Sequence, residues 1–478
     1  MQVIYLYHLY CLQIRIREKL STPVEMEWLL GRMIIMMEVY MIHVTSATRI
    51  PSVDETLGTL KMHNSLMPQF ADFDKIMMDI SYLQIQIENL TGPLFDIIGK
   101  PKGVDASGNM GLWLSQHCDT SVFKQAKTGL SLAADSIAGA IDSGQLSDEV
   151  VLLLQAYQKY SKLSKIRGTL VSLLQNPISN VPSCDGHRML IIRPTWEKQN
   201  TGRVAMQKPA IQNLPRMVQE IITVPQGYVL CHTDSGQIEP RIIYSAFIKD
   251  PQIQALIRLY DDAYFGVLHY ITMPESDIIS GRTDFQKMEI TDDMKENRSL
   301  IKRHNNAVMY GSTSNPTGDP IKGALINRIG KHPKRIEWVN GLQEDVNRGC
   351  TVFKTAFGTP INTAYSAKLE DGNLRAGSIE EERLRLAINN PIQGTAADLM
   401  RLSVYEANKI LMNKAKKSYI INYVHDAGMF CIHEDEYDAI AQELGDIVSY
   451  DIEGWLPIKA EPEFGRNHGK AGLIEDLY

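Results

Sequence analysis

Three features of the chain predict an α+β fold. Residues 1 to about 185 carry apolar side chains at three- and four-residue spacing, the mark of helices with one buried face. From about 186 the texture changes to short β-branched and aromatic runs, such as Met189–Arg193 and Gly227–Asp234. These give way near 250 to a polar helical stretch reaching about 380, and strand-like runs return around Asp426. A strand-rich piece split by a helical insertion builds its centre from distant parts of the chain.

At 478 residues the chain exceeds one compact core and predicts two to four subdomains. Its 44% hydrophobic and 22% charged residues describe an ordinary globular protein. A net charge of −7 excludes a uniformly basic nucleic-acid coat but allows a basic groove beside an acidic site. The six cysteines form no C-x-x-C pair and read as free thiols in a reducing compartment. The apolar N-terminus is interrupted by His8, Gln13, Arg15 and Arg17 and lacks a small-residue cleavage site, so it is no signal peptide. Leu29–Val44 holds Arg32, Glu38 and His43, too charged and short for a membrane span. Both stretches read as helices, and the protein as cytoplasmic with no membrane partner.

In the helical first part, breaks fall at Thr91–Pro93 and Gly99–Gly103. One helix carries Lys159, Lys162, Lys165 and Arg167, either a solvated face or a track for duplex phosphates. Tyr228–Thr233 reads as a buried strand and Gln237–Phe247 as a helix with Pro240 in its first turn, where the missing N–H costs little. Asp234 lies at their junction, as a helix N-cap or as an exposed carboxylate. Arg298–Tyr310 contains no Gly or Pro and can be helical, and a Gly/Pro/Asn-rich loop spans Gly311–Gly323. A long helix is expected over about 393–416. Tyr419–Val424 and Gly428–His433 read as antiparallel strands joined by His425, Asp426 and Ala427.

Two strand-end aspartates, Asp234 and Asp426, would suit a pair of divalent cations roughly 3.5–4 Å apart. Along the Arg298 helix, steps of four turn only about 40° each, so Arg298, Lys302, Asn306 and Tyr310 form one drifting stripe. Arg and Lys on that stripe suit phosphoryl oxygens, and Lys302 could protonate a leaving pyrophosphate. Each feature alone has an ordinary structural explanation; their combination does not.

Asp234-Ser-Gly-Gln-Ile-Glu-Pro-Arg241 resembles D-Y-S-Q-I-E-L-R, the first catalytic motif of the family A DNA polymerases. Arg298, Lys302, Tyr310 and Gly311 fill that family's R-x3-K-x7-Y-G without a spacing error, and Val424-His-Asp426 resembles V-H-D-E. Thr201-Gly-Arg203 through Gln212-Asn-Leu-Pro215, and Arg385 through Pro391-Ile-Gln-Gly-Thr-Ala-Ala-Asp398, match as well. The resemblance implies a right-hand fold: a thumb over 1–185 with a run-in helix, a palm over 186–250 and 380–478, and fingers over 251–379. It implies two Mg²⁺ held by Asp234, Asp426 and the Ser235 carbonyl, with Lys302 catalytic. Arg298, Lys302 and His269 would hold the incoming dNTP, Tyr310 and Gly311 would shape its pocket with Asn306, and Glu239 would exclude a ribose 2′-OH. Arg203, Arg385, Asn389, Gln393 and His425 would touch primer-template DNA near the growing end, and Lys159, Lys162 and Lys165 would follow the duplex.

Departures from the family pattern carry expectations too. Asn306 stands where an aromatic residue is usual, which predicts altered sugar discrimination. Ala427 replaces the acid after the catalytic aspartate, and Ser235, Gly236 and Pro240 predict a looser turn. Asp54 is the first aspartate of the chain and Met36–Glu38 with Ile42–Val44 resembles the start of the thumb, so no proofreading exonuclease is expected here. That activity would sit on a separate chain, among other replication proteins of a bacteriophage system in its host's cytoplasm. Two alternatives remain: a single-subunit RNA polymerase, favoured by Arg303 and Ala427 but opposed by Glu239, and a non-catalytic DNA-binding subunit.

Overall fold

The computed structural model describes residues 41–466 apart from 46, 67, 102–105, 127–128, 208, 210, 215, 313–314, 316–317, 364–378 and 425. The expected N-terminal helix, Met36–Glu38 included, lies outside the described residues.

The centre is a four-stranded antiparallel sheet in the order Tyr419–Val424, Ala427–His433, Tyr228–Ser235, Ala460–Gly465. Its two inner strands are nearly continuous apolar runs, with Leu230, Cys231, Phe430, Cys431 and Ile432 almost fully buried. Register puts Ala427 opposite Asp234 on one side and Glu461 opposite it on the other. The helix Tyr437–Gly445 covers the Tyr228–Ser235 strand, while Val53–Leu66 and Ile379–Lys414 pack at the Tyr419–Val424 edge. The mixed α+β class is therefore as predicted, with the core built from residues some 200 apart in sequence.

A second sheet places Gln69–Asp72 between Met189–Ile192 and Ile222–Thr223, so an early segment joins the strand-rich part. The insertion contains the helices Pro251–Tyr260, Ala263–Thr272, Asp292–Met309, Pro320–Leu325 and Pro333–Asn347. The first two of these approach closely because Gly266 has no side chain; a Cβ there would strike Ile257.

Several elements differ from expectation. A single helix, Phe73–Ile98, runs through Thr91–Pro93. Leu83, Leu94 and Ile98 are buried, and the helix packs along Asp148–Leu173, a contact that offsets a proline cost of ~3 kcal/mol. The long helix likewise begins at Ile379 and continues through Pro391, its residues Ile388, Ile392, Ala396 and Leu399 being buried. Ile42–Val44 is not helical but a strand parallel to Tyr450–Ile452. The segment after Asp234 is a short α-turn, Ile238–Ile242, followed by a π-turn, Ile243–Phe247. The loop after Gly311 ends at Asp319, which caps Pro320–Leu325. A small hairpin, Val352–Lys354 with Pro360–Asn362, interrupts the helical insertion. Cys118, Cys184, Cys231, Cys350 and Cys431 are free thiols, and no described helix is long and apolar enough to cross a membrane.

Candidate active site

Asp234 and Asp426 come together because their strands meet edge to edge. The Ser235 N–H donates to the Asp426 carbonyl at 3.0 Å, which ties the end of one strand to the turn of the next hairpin. Burial, then the charges of Asp426 and Glu461, push the Asp234 carboxyl up to about 7, with Lys302 acting in the opposite sense. Asp234 Oδ1 is buried and has no hydrogen-bond partner. The Ser235 hydroxyl donates to the Val448 carbonyl at 2.9 Å, which turns it to the protein interior. The turn is not loose: the Gly236 N–H is fixed on the Lys459 carbonyl at 2.9 Å, and a side chain at 236 would meet Glu461.

Among the described residues no three His, Cys, Asp or Glu side chains form a cation cage by themselves. Asp234 and Asp426 fit divalent cations as an open pair: an orphaned anionic oxygen faces mutual repulsion that a cation would relieve. Such a pair leaves coordination positions for phosphate oxygens and water.

Asp292–Met309 forms as a helix because Thr291 caps its first turn, Asp292 and Asp293 complement its positive end, and no Gly or Pro interrupts it. It brings exposed Lys302 close enough to act on the Asp234 charge. Arg298 is engaged from behind by Asp262, whose Oδ2 accepts from Nε at 3.0 Å and Nη2 at 2.5 Å. Gln237, at a left-handed φ of 58°, donates to the same oxygen at 2.7 Å. The guanidinium lies over Tyr264 and Phe265, 5.3 and 5.4 Å from their ring centres. His269 lies on the Ala263–Thr272 helix and has partners of its own. It is hydrogen-bonded to the Tyr260 hydroxyl at 3.0 Å and sits beside Phe285.

Glu239 is held by three donors. Arg203 Nη2 reaches Oε1 at 3.1 Å, while Asn306 Nδ2 and the Tyr310 hydroxyl reach Oε2 at 3.1 and 2.9 Å. Burial, and then Glu239 itself, push the Tyr310 phenol far up, so it is a hydroxyl donor at any physiological pH. Gly311 follows at φ 104°, a left-handed turn that ends the helix. Arg203 is positioned by the turn of the Thr195–Lys198/Val204–Gln207 hairpin. The carbonyl of Gly202 in that turn accepts from Arg401, which is itself paired with buried Asp398.

The remaining predicted contacts are spread over other elements. Arg385 is bound through both nitrogens of its fork to fully buried Glu382. Asn389 and Gln393 are half-buried on the same long helix, with Asn389 Oδ1 unpartnered. Lys159, Lys162 and Lys165 line one open groove of the Asp148–Leu173 helix, as the spacing predicts. His425 lies outside the described residues.

Sequence reasoning missed Asp262, Tyr264, Gln237 as a side-chain partner, and Glu461. Asp262 was legible as a helix N-cap before Ala263–Thr272, but its pairing with a residue 36 positions away was not.

The sequence profile described as DNA polymerase family A matches residues 78–470. The chain is 24% identical over 392 residues to DNA polymerase I of Lactococcus lactis subsp. cremoris, covering 80% of this chain and 41% of that protein. It is 22% identical over 447 residues to DNA polymerase I of Pseudomonas aeruginosa, covering 88% and 45%. The chain thus spans less than half the length of these curated relatives. Its fold is similar to the POL domain of Pol1 from M. smegmatis, solved with DNA primer-template and dNTP. That match has a TM-score of 0.65 at 19% identity over 87% of this chain and 69% of that one, and the right-hand fold follows from it. The profile covers most of the sequence, and the chain belongs to DNA polymerase family A.

Proposed function

We propose that this chain is a template-directed DNA polymerase that adds dNTPs to a primer 3′ end. The observation that carries the reading is the meeting of Asp234, Asp426 and Lys302 at one strand-end site beside the Arg298 helix. The relative solved with primer-template and dNTP supports the choice of substrates. Thumb, palm and fingers are assigned to 1–185, 186–250 with 380–478, and 251–379, the first also lending the Gln69–Asp72 strand to the palm.

In the proposed reaction the primer 3′ oxygen attacks the α-phosphorus, the α–β P–O bond breaks, and pyrophosphate leaves. Asp234 and Asp426 would hold Mg²⁺ ions that lower the 3′-hydroxyl pKa and neutralise charge on the phosphates. Lys302 supplies a proton to the leaving pyrophosphate, and Arg298 anchors its oxygens. Glu239 occupies the place of a ribose 2′-OH. Arg203, Arg385, Asn389, Gln393 and His425 hold primer-template, and the groove lysines follow the duplex backbone. By the resemblance of its motifs to those of family A replicases, the chain would act in a bacteriophage replication system.

Primer extension with Mg²⁺ and either dNTPs or rNTPs tests the reading, with Asp426→Ala as control. Extension with dNTPs alone, abolished in the control, is expected. Efficient rNTP use would indicate an RNA polymerase, and tight DNA binding without extension a non-catalytic subunit.

A further inference from the structure

Asn306 lies on the same helix stripe as Arg298 and Lys302, and its amide is committed to protein groups. Its Nδ2 donates to Glu239 Oε2 at 3.1 Å, and its Oδ1 accepts from Asn305 Nδ2 at 3.4 Å. Asn305 is fully buried, and its own Oδ1 accepts from the buried Tyr244 hydroxyl at 2.7 Å. This relay has a direction. A carboxylate can only accept, so the Asn306 amide nitrogen faces Glu239 and Asn306 Oδ1 faces Asn305. The Asn305 amide nitrogen then donates to Asn306 Oδ1, and Asn305 Oδ1 is left to accept from the Tyr244 hydroxyl. The orientation of an otherwise ambiguous amide is thereby fixed by the network.

We infer that Asn306 is a positioning residue for the Glu239 carboxylate, and that discrimination between deoxy- and ribonucleotides in this chain runs through the Tyr244–Asn305–Asn306 relay. The inference rests on the polymerase reading. Three donors converge on Glu239 from two directions, Arg203 from the hairpin turn and Asn306 with Tyr310 from one helix. A carboxylate with three donors has one preferred placement, and a nucleotide 2′-OH must displace a charge-assisted bond to move it. A phenylalanine or an aliphatic residue at 306 could pack on a sugar but could not donate. Removing the amide leaves Oε2 to Tyr310 alone and frees the carboxylate to yield.

The test is single-nucleotide incorporation by four proteins: the unaltered chain, Asn306→Ala, Glu239→Ala, and the double variant. Each is scored by its ratio of kcat/KM for dNTP over rNTP. Asn306→Ala should lower the ratio roughly tenfold, the scale of one hydrogen bond to a charged group, mainly through faster rNTP use. Glu239→Ala should lower it at least as much, and the double variant should match Glu239→Ala, because the amide acts only through the carboxylate. An unchanged ratio in Asn306→Ala, or losses that multiply in the double variant, overturns the inference and leaves the polymerase reading intact. No metal-dependent extension by the unaltered chain overturns both.

Discussion

Arg298 and Asp262 form an ion pair, with Nη2 2.5 Å from Oδ2, in which both side chains are largely shielded from water. The guanidinium proposed to receive a triphosphate is therefore already neutralised. Asp262 also accepts from the Phe265 N–H at 2.8 Å and so caps Ala263–Thr272. Asparagine caps a helix about as well as aspartate but carries no charge. Asp262→Asn should keep the cap, cost some stability by leaving the shielded Arg298 charge uncompensated, and tighten dNTP binding about fivefold, which is about 1 kcal/mol, because a competing anion is removed. Equilibrium titration with a non-hydrolysable dNTP reads this directly. Weaker binding would mean that Asp262 orients Arg298 more than it competes for it.

The raised Asp234 carboxyl sets a pH dependence for the metal-free protein. Its value is about 7 in the folded chain, against about 3.9 in an unfolded one. Between these limits the folded state holds a proton that the unfolded state has released, so stability from this group is full below about 4 and is lost as pH rises through 7. In chelator, the melting temperature should fall from pH 5.5 to 8 by an amount equivalent to a few kcal/mol at most. Asp234→Asn should flatten that slope, and Mg²⁺ should raise the melting temperature more at pH 8 than at pH 5.5. Equal slopes for the variant and the unaltered chain would remove Asp234 as the cause.

Asp398 and Arg401 are both almost fully buried and face each other one turn apart on the long helix. Asp398 also accepts from Thr355 at 2.6 Å, and Arg401 donates to the carbonyls of Pro51 and Gly202 at 2.8 and 3.2 Å. Burial raises the Asp398 carboxyl despite Arg401, so the pair depends on both members. Asp398→Ala should cost about 3–5 kcal/mol, the penalty of a buried charge left alone. Chemical denaturation should show a lower midpoint with an unchanged slope. Asp398→Ala with Arg401→Met should recover part of the loss; a double variant no better than the single one would refute the unpaired-charge explanation.

The Asp234 strand, the Arg298 helix and the Asp426 hairpin were legible because each carries its signal locally: an apolar run, a stripe at four-residue spacing, two runs about a tight turn. Ile42–Val44 was not, since it became a strand only by pairing with Tyr450–Ile452, some 400 residues away. Thr91–Pro93 misled for a related reason. Local chemistry argues for a break there, and packing over a long buried face overrides it. At the site, the resemblance to the family motifs named Asp234, Glu239, Arg298 and Lys302 but not their partners. Asp262 holds Arg298 over 36 residues, Asn305 orients the Asn306 amide, and Arg401 fixes the Gly202 turn beside Arg203 over 199 residues, none of which is written in a motif.

Lys302 and Arg298 occupy one helix yet differ in their surroundings, and their variants should separate in kinetics. Lys302 is exposed and acts on Asp234 across the site, whereas Arg298 is packed on Tyr264 and Phe265 and paired with Asp262. A proton donor to the leaving pyrophosphate works only as the α–β bond breaks, so Lys302→Ala should lower kcat by about 10²–10⁴ with a small change in KM. Arg298→Ala should raise KM for dNTP more than it lowers kcat, because it binds the triphosphate in the ground state as well. It should also destabilise the fold by leaving Asp262 shielded and unpaired, whereas Lys302→Ala should melt with the unaltered chain. Pre-steady-state incorporation by the two variants, set beside their thermal melts, makes the comparison. If Lys302→Ala changed KM alone, its role would be to bind phosphate, and the proton would have to come from water.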